Sequence, residues 1–183
     1  QHATIRQAVQ QQFQWVLVDE YQDTNDVQAE LFQLVAGGAR NITVVGDPCQ
    51  AIYSFRFADP VHIRHFTVDW SEACTVALST NYRSTPNVIQ AAAAVIANNP
   101  EGENLEFKAT RPAGAPVKIV RCKTEEDAAL MAARIALAHY SKDKIPLSEM
   151  AVLYRYNRTS RALESAFRLR GIPHVVVGGV PFY

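Results

Sequence analysis

Val16-Leu17-Val18-Asp19-Glu20-Tyr21-Gln22-Asp23-Thr24-Asn25 is the stretch whose reading decides the fold. Three aliphatic residues in succession leave no polar alternation, so the run reads as a strand covered on both faces, as parallel strands between helices are. It then breaks off into acids and amides. Val44-Val45-Gly46-Asp47-Pro48-Cys49-Gln50-Ala51-Ile52-Tyr53 repeats the arrangement. Open parallel sheets present such polar groups at the carboxyl ends of their strands, where ligands are held.

Working outward, residues 3–12 suit a helix, 13–19 and 42–46 suit buried strands, and the segment from Asn25 or Thr24 to about Val35 suits a helix. In that helix Val27, Leu31, Leu34 and Val35 recur at helical spacing, and Gly37-Gly38 ends it. A short helix is expected from Pro60 to Phe66. Strand 75–78 leads to Asn81-Tyr82-Arg83-Ser84-Thr85-Pro86, where Thr85 suits an N-cap and Pro86 the first helical position of a helix over 87–97. Strands 116–121, 150–154 and 174–177 then alternate with helices 124–139 and 157–170. The expected fold class is α/β, two partial parallel-sheet domains of three-layer αβα type. The first covers 1–72 and the second 73–183, with 101–115 an exposed connector rich in Gly, Pro and charge.

With 183 residues the chain is long enough for a sizeable core, and its 48% hydrophobic content excludes wholesale disorder. Lys and Arg number 18 and Asp and Glu 18, so no global field draws nucleic acid, and any such contact must be local. The 3 cysteines, Cys49, Cys74 and Cys122, are odd in number and lack metal-ligand spacing, which suits a reducing cytosol. The sequence has no membrane-length apolar run and no signal peptide, so the expected location is cytoplasmic.

Asp19-Glu20 directly after a rigid strand is how nucleoside triphosphatases set one carboxylate on Mg²⁺ and a second beside the attacking water. Adjacent acids also occur as a plain solvated strand end. No Gly-x-x-x-x-Gly-Lys-Ser/Thr stretch is present to cradle phosphates. Tyr53, Phe55, Arg56 and Phe57 interleave aromatic rings with a cation, suiting either stacking on unpaired bases or inward packing against the helix at 60–66. His62 and His65 lie three apart without a third ligand, a surface or packing pattern rather than a metal site. Arg155, Arg158, Arg161, Arg168 and Arg170 suit phosphate contacts or a solvated helix face equally.

With these motifs in order, the chain resembles the superfamily 1A DNA helicases of the UvrD, PcrA and Rep type. Their second motif is similar to Asp19-Glu20-Tyr21-Gln22-Asp23-Thr24-Asn25, and their fourth to Asn81-Tyr82-Arg83-Ser84-Thr85. Their third is similar to Gly46-Asp47-Pro48-Cys49-Gln50-Ala51-Ile52-Tyr53-Ser54-Phe55-Arg56-Phe57-Ala58-Asp59. Val152-Leu153-Tyr154-Arg155 through Gly178-Gly179 resembles their second motor domain up to its large insertion.

The resemblance implies two RecA-like domains of the P-loop NTPase type, with ATP and Mg²⁺ as cofactors. It implies that Asp19 helps hold Mg²⁺, Glu20 activates water and Gln50 senses the γ-phosphate. Arg83 is then an arginine finger and Tyr82 a platform for adenine, where each residue alone would read as a surface ion pair and a core tyrosine. Tyr53, Phe55, Arg56 and Phe57 are implied to touch DNA. The partners implied are single-stranded DNA and DNA junctions.

The function implied is ATP-driven movement along single-stranded DNA with duplex unwinding, in repair or replication restart. A fragment is expected, with the phosphate loop before residue 1 and the closing motifs after residue 183, so the 183-residue chain should not hydrolyse ATP by itself. Two features depart from the family. Ser54-Phe55-Arg56-Phe57 stands where relatives typically have Gly-Trp-Arg-Gly, putting a bulky residue in place of a glycine, and Pro48-Cys49 replaces a more acidic pair. The competing readings are a helicase-nuclease of the RecB or AddA kind and a non-catalytic helicase-like DNA-binding module.

Overall fold

The computed structural model describes residues 3–37, 40–100 and 106–177. The chain divides into two compact units, residues 1–117 and 118–183. In the first, β1 (Val16–Val18) pairs in parallel with β2 (Ile42–Val44), Val16 opposite Ile42 and Val18 opposite Val44. Helix α1 (Ala3–Gln12) precedes β1, and α2 (Asp26–Ala36) connects the strands, packing on β1 and α1. The Gln10 side-chain amide donates to the Leu34 carbonyl at 2.6 Å, tying the two helices.

Helix α2 starts where the sequence indicates. The Asn25 side chain accepts from the Gln28 N–H and the Gln28 side chain accepts from the Asn25 N–H, a full capping box. The helical spacing also holds, but the buried face is Ala29 and Ala36, while Val27, Leu31 and Leu34 are exposed. Small side chains let the helix approach the sheet, while Val27, Leu31 and Leu34 turn outward and Val35 is half-buried. Leu17 likewise is 78% exposed, because only the Val16 and Val18 side of β1 is half-buried.

Aromatic rings fill the space beyond the strand ends. Tyr21, 3% exposed, meets Phe66 edge-on at 5.6 Å and lies 6.1 Å from Phe32. Phe66 stacks on buried Trp70 at 6.1 Å. Phe66 and Trp70 come from α4 (Phe66–Asp69) and its C-cap, which follows α3 (Val61–Arg64) where a single short helix was expected.

The later strands differ from the expectation. A ladder forms at β3 (Thr80–Asn81), not at 75–78, and its parallel partner β4 (Lys108–Ala109) lies inside the segment read as a connector. Residues 101–105 of that connector, Gly38 of the expected α2 terminus and Gly178-Gly179 lie outside the described residues. Helix α5 (Pro86–Ile96) has Thr85 at its N-cap and Pro86 in its first turn, yet the Thr85 hydroxyl makes no capping bond.

In the second unit, α6 (Glu125–Lys142) and α7 (Thr159–Leu169) pack through Ala129, Ala133 and Ala166, with Ile172 completing the core. The Thr124 hydroxyl caps α6 by accepting from the Asp127 N–H at 3.0 Å, and the Thr159 hydroxyl donates to Glu125 at 2.7 Å. Gly171 ends α7 at φ +63°, with its N–H on the Arg168 carbonyl and the Ile172 N–H on the Phe167 carbonyl. That bond pair is a Schellman closure, and buried Ile172 is its hydrophobic latch. Segments 116–121, 150–154 and 174–177 carry no ladder among the described residues. Ile119, Leu153 and Val175 are exposed there, for an apolar run becomes a strand only when a neighbour takes its backbone bonds.

Burial, with a smaller push from the Asp69 carboxylate, raises the Tyr21 phenol above its ordinary pKa. The folded chain therefore keeps this phenol neutral to higher pH than the unfolded chain does. That contribution is whole below the ordinary phenol value, about 10, and is lost as pH rises through the raised one. Melting curves across the alkaline range should show the thermal midpoint of the unmutated chain falling more steeply above about pH 10 than that of Tyr21→Phe. Parallel slopes would contradict the assignment.

Candidate functional site

The carboxyl ends of β1 and β2 are joined by an irregular ladder. The Val45 N–H donates to the Val18 carbonyl at 2.8 Å, as a parallel pair requires. The regular continuation would send the Glu20 N–H to the Val45 carbonyl, but the Tyr21 N–H takes that bond at 2.9 Å. One extra residue is thus bulged out. Glu20 absorbs it in the left-handed region, φ 51° and ψ 43°, and its displaced N–H donates to Asp19 Oδ1 at 2.9 Å. A non-glycine residue held there carries strain, which persists only where the surroundings over-determine it. The outcome is that Asp19 and Glu20 stand exposed at the sheet edge while Tyr21 and Gln22 are buried.

The segment after β2 is stitched to this turn. Gln22, 1% exposed, donates through Nε2 to Glu20 Oε2 at 2.7 Å and accepts the Asp47 N–H on Oε1 at 3.0 Å. Asp47 in turn accepts the Cys49 N–H at 2.9 Å and the Gln50 side-chain amide at 2.7 Å. Further along, the Asp59 N–H donates to the Thr24 carbonyl at 3.0 Å, and His62 Nε2 meets Asp26 at 2.9 Å. His62 therefore serves packing between the two segments. Asp19, Glu20 and Gln50 are brought into one connected edge, and Gln22, which the residue pattern alone did not single out, is what connects them.

Gly46 makes room for this. A Cβ there would lie 2.4 Å from Gln22 Oε1 and 2.8 Å from Ile63 Cδ1. Any side chain would expel the Gln22 amide.

Asp19 fits a Mg²⁺ ligand. It is an exposed carboxylate whose Oδ1 is occupied by a backbone N–H, and Mg²⁺ is held through one or two carboxylates, water and substrate phosphates. No group of three or more His, Cys, Asp and Glu forms a cage among the described residues, so such an ion would draw its other ligands from solvent and phosphate.

The aromatic segment faces outward. Phe55 is 68% and Phe57 86% exposed, so neither packs on the following helix. Arg56 lies over Tyr53 at 5.2 Å and over Phe55 at 5.7 Å, and the two rings are 5.6 Å apart, which makes one small platform of rings and cation. Phe57 sits at φ 65° and ψ 19°, a left-handed conformation that a glycine adopts freely.

Tyr82 and Arg83 occupy a loop shaped by Asn81, whose Oδ1 accepts the Arg83 N–H at 3.0 Å and the Ser84 N–H at 2.7 Å. Both side chains are exposed, and among the described residues no hydrogen bond or ion pair joins either to Asp19 or Glu20. Of the second unit's arginines, Arg155, Arg158, Arg161 and Arg168 are exposed and Arg170 half-buried, with Arg158 over Tyr156 at 5.3 Å.

Two substitutions check this geometry. Gly46→Ala should cost about 1–3 kcal/mol through overpacking against Gln22 and Ile63, read as a lower urea midpoint at unchanged m-value. Phe57→Gly should raise stability by about 0.5–1 kcal/mol, since it relieves left-handed strain and forfeits almost no packing. An unchanged midpoint in either case would contradict the placement of that residue.

Residues 1–71 match the UvrD/REP helicase N-terminal domain and residues 76–183 the UvrD-like helicase C-terminal domain. The chain is 41% identical over 174 residues to the ATP-dependent DNA helicase PcrA of Staphylococcus epidermidis, covering 95% of this chain and 24% of that protein. It is 40% identical over the same length to the ATP-dependent DNA helicase PcrA of Staphylococcus aureus. The chain thus spans about a quarter of the length of these curated relatives. The two family models part between 71 and 76, whereas the compact units part after Val117. With α/β architecture, parallel strands and family models over both parts of its length, the chain belongs to the UvrD-like helicase family.

Proposed function

We propose that this chain is the coupling portion of an ATP-dependent DNA helicase, the part that links nucleotide hydrolysis to movement along single-stranded DNA. The observation that carries the reading is the bulged Asp19-Glu20 turn, bonded to the segment that bears both Gln50 and the aromatic platform. Two exposed carboxylates on a rigid edge suit metal binding and water activation. An exposed ring-and-cation surface a few residues away suits stacking on bases of any sequence, worth about 1–3 kcal/mol per base.

In this reading Asp19 holds Mg²⁺, Glu20 accepts a proton from the attacking water, and Gln50 reports on the γ-phosphate. Bound Mg²⁺ supplies neutralisation of phosphate charge. Arg83 stabilises charge developing on the transferred phosphoryl group, and Tyr82 stacks on adenine. Tyr53, Phe55, Arg56 and Phe57 touch DNA, including junctions where single strands begin. The motor-domain boundary lies near 72 and 73, and closure of the two domains completes the site. The chain has no phosphate-cradling loop of its own, so hydrolysis belongs to the whole protein, acting in the cytoplasm in DNA repair or replication restart.

The test uses the whole protein that carries this segment. Glu20→Gln should lower DNA-stimulated ATP hydrolysis by roughly 10²–10⁴-fold, the range a general base contributes, with nucleotide binding retained. Full turnover in that variant would remove Glu20 from the role. No DNA-stimulated turnover in the unmutated protein would favour the non-catalytic module.

A further inference from the structure

We propose that Gln22 is a positioning residue that ties the hydrolytic carboxylate Glu20 to Gln50, making the two answer to each other. The inference rests on the roles of Glu20 and Gln50 proposed above. Among the described residues Gln22 is the largest fully buried side chain, and its amide is used at both ends. Nε2 donates to Glu20 Oε2 at 2.7 Å, and Oε1 accepts the Asp47 N–H at 3.0 Å. A carboxylate only accepts and a backbone N–H only donates, so the amide has one possible orientation. From Asp47 the chain of bonds runs through its carboxylate to the Gln50 amide at 2.7 Å.

Packing alone does not account for this arrangement. A buried glutamine can satisfy itself on nearby backbone, yet the Gln22 donor reaches back to an exposed carboxylate on a residue held in the left-handed region. That bond fixes one Glu20 oxygen and leaves Oε1 for water. Gly46 removes the Cβ that would otherwise occupy the place of the amide. A shift of Gln50 toward phosphate pulls on Asp47, whose N–H is bonded to Gln22, and so reaches Glu20. Methionine has the shape without the bonds, and glutamate keeps the acceptor while losing the donor.

The experiment uses the whole protein and three measurements. In Gln22→Met, DNA-stimulated kcat should fall roughly 10–100-fold, as when a group orienting a metal-site ligand is lost. KM for ATP and the Kd of a fluorescent ATP analogue should stay within about threefold, because the phosphate-holding groups are untouched. Gln22→Met combined with Gln50→Ala should be no slower than the slower single variant, since residues acting as one unit do not multiply their losses. Multiplied losses, or a KM that rises as kcat falls, would make Gln22 a packing residue and overturn the proposal.

The third measurement is stability. Gln22→Glu sets two carboxylates against each other and should lower the thermal midpoint, while the exchanged pair Glu20→Gln with Gln22→Glu restores a donor facing an acceptor and should recover it. Absence of recovery would show that the bond is not formed. If Gln22→Met fails to fold, Asp47→Ala cuts the same chain nearer the surface and should give the same split of kcat from KM. An unmutated protein without DNA-stimulated turnover would refute the helicase reading, while the exchanged pair would still report on the bond.

Discussion

Val45 carries the constraint on which the rest of the first unit depends. Its N–H and carbonyl hold Val18 and Tyr21, and between those two bonds the first strand must fit one residue more than a regular ladder allows. The surplus pushes Asp19 and Glu20 out to solvent and turns Tyr21 and Gln22 inward. A slip of one residue would reverse the faces, since side chains along a strand alternate. The acidic pair is therefore exposed because a backbone bond elsewhere is satisfied by Tyr21 rather than by Glu20.

The inward-turned residues do different work. Tyr21 anchors the turn in an aromatic cluster with Phe32, Phe66 and, through Phe66, Trp70. Gln22 spends its burial on hydrogen bonds to Glu20 and Asp47, avoiding the cost of an unsatisfied buried amide. The two strand-end segments then form one edge, closed again at Thr24 with Asp59 and at Asp26 with His62. Carboxylates, Gln50 and the aromatic platform are neighbours by covalent connection and by these bonds together.

Helices were legible because their signals are local. The cap offered at Asn25 or Thr24 and the break at Gly37 act within a few residues of the element they bound. The first two strands were legible as continuous aliphatic runs. Runs at 116–121 and 150–154 look alike in sequence but have no ladder among the described residues, since a strand needs a partner and sequence alone does not say whether one is in reach. The outward stripe of α2 has a related cause: spacing gives a helix a face, and only packing says which way it points.

For the candidate site, the sequence by itself determined which chemical groups follow each strand, their order, and the resemblance their motifs carry. It did not show that Phe57 sits in the left-handed region. Only the tertiary structure decided that Glu20 is bulged out, that Phe55 and Phe57 face solvent, and that Gln22 joins Glu20 to Asp47. Groups and spacings are properties of the chain. Burial and hydrogen-bond partnership across more than twenty residues, as between Gln22 and Asp47, exist only once the second strand lies beside the first.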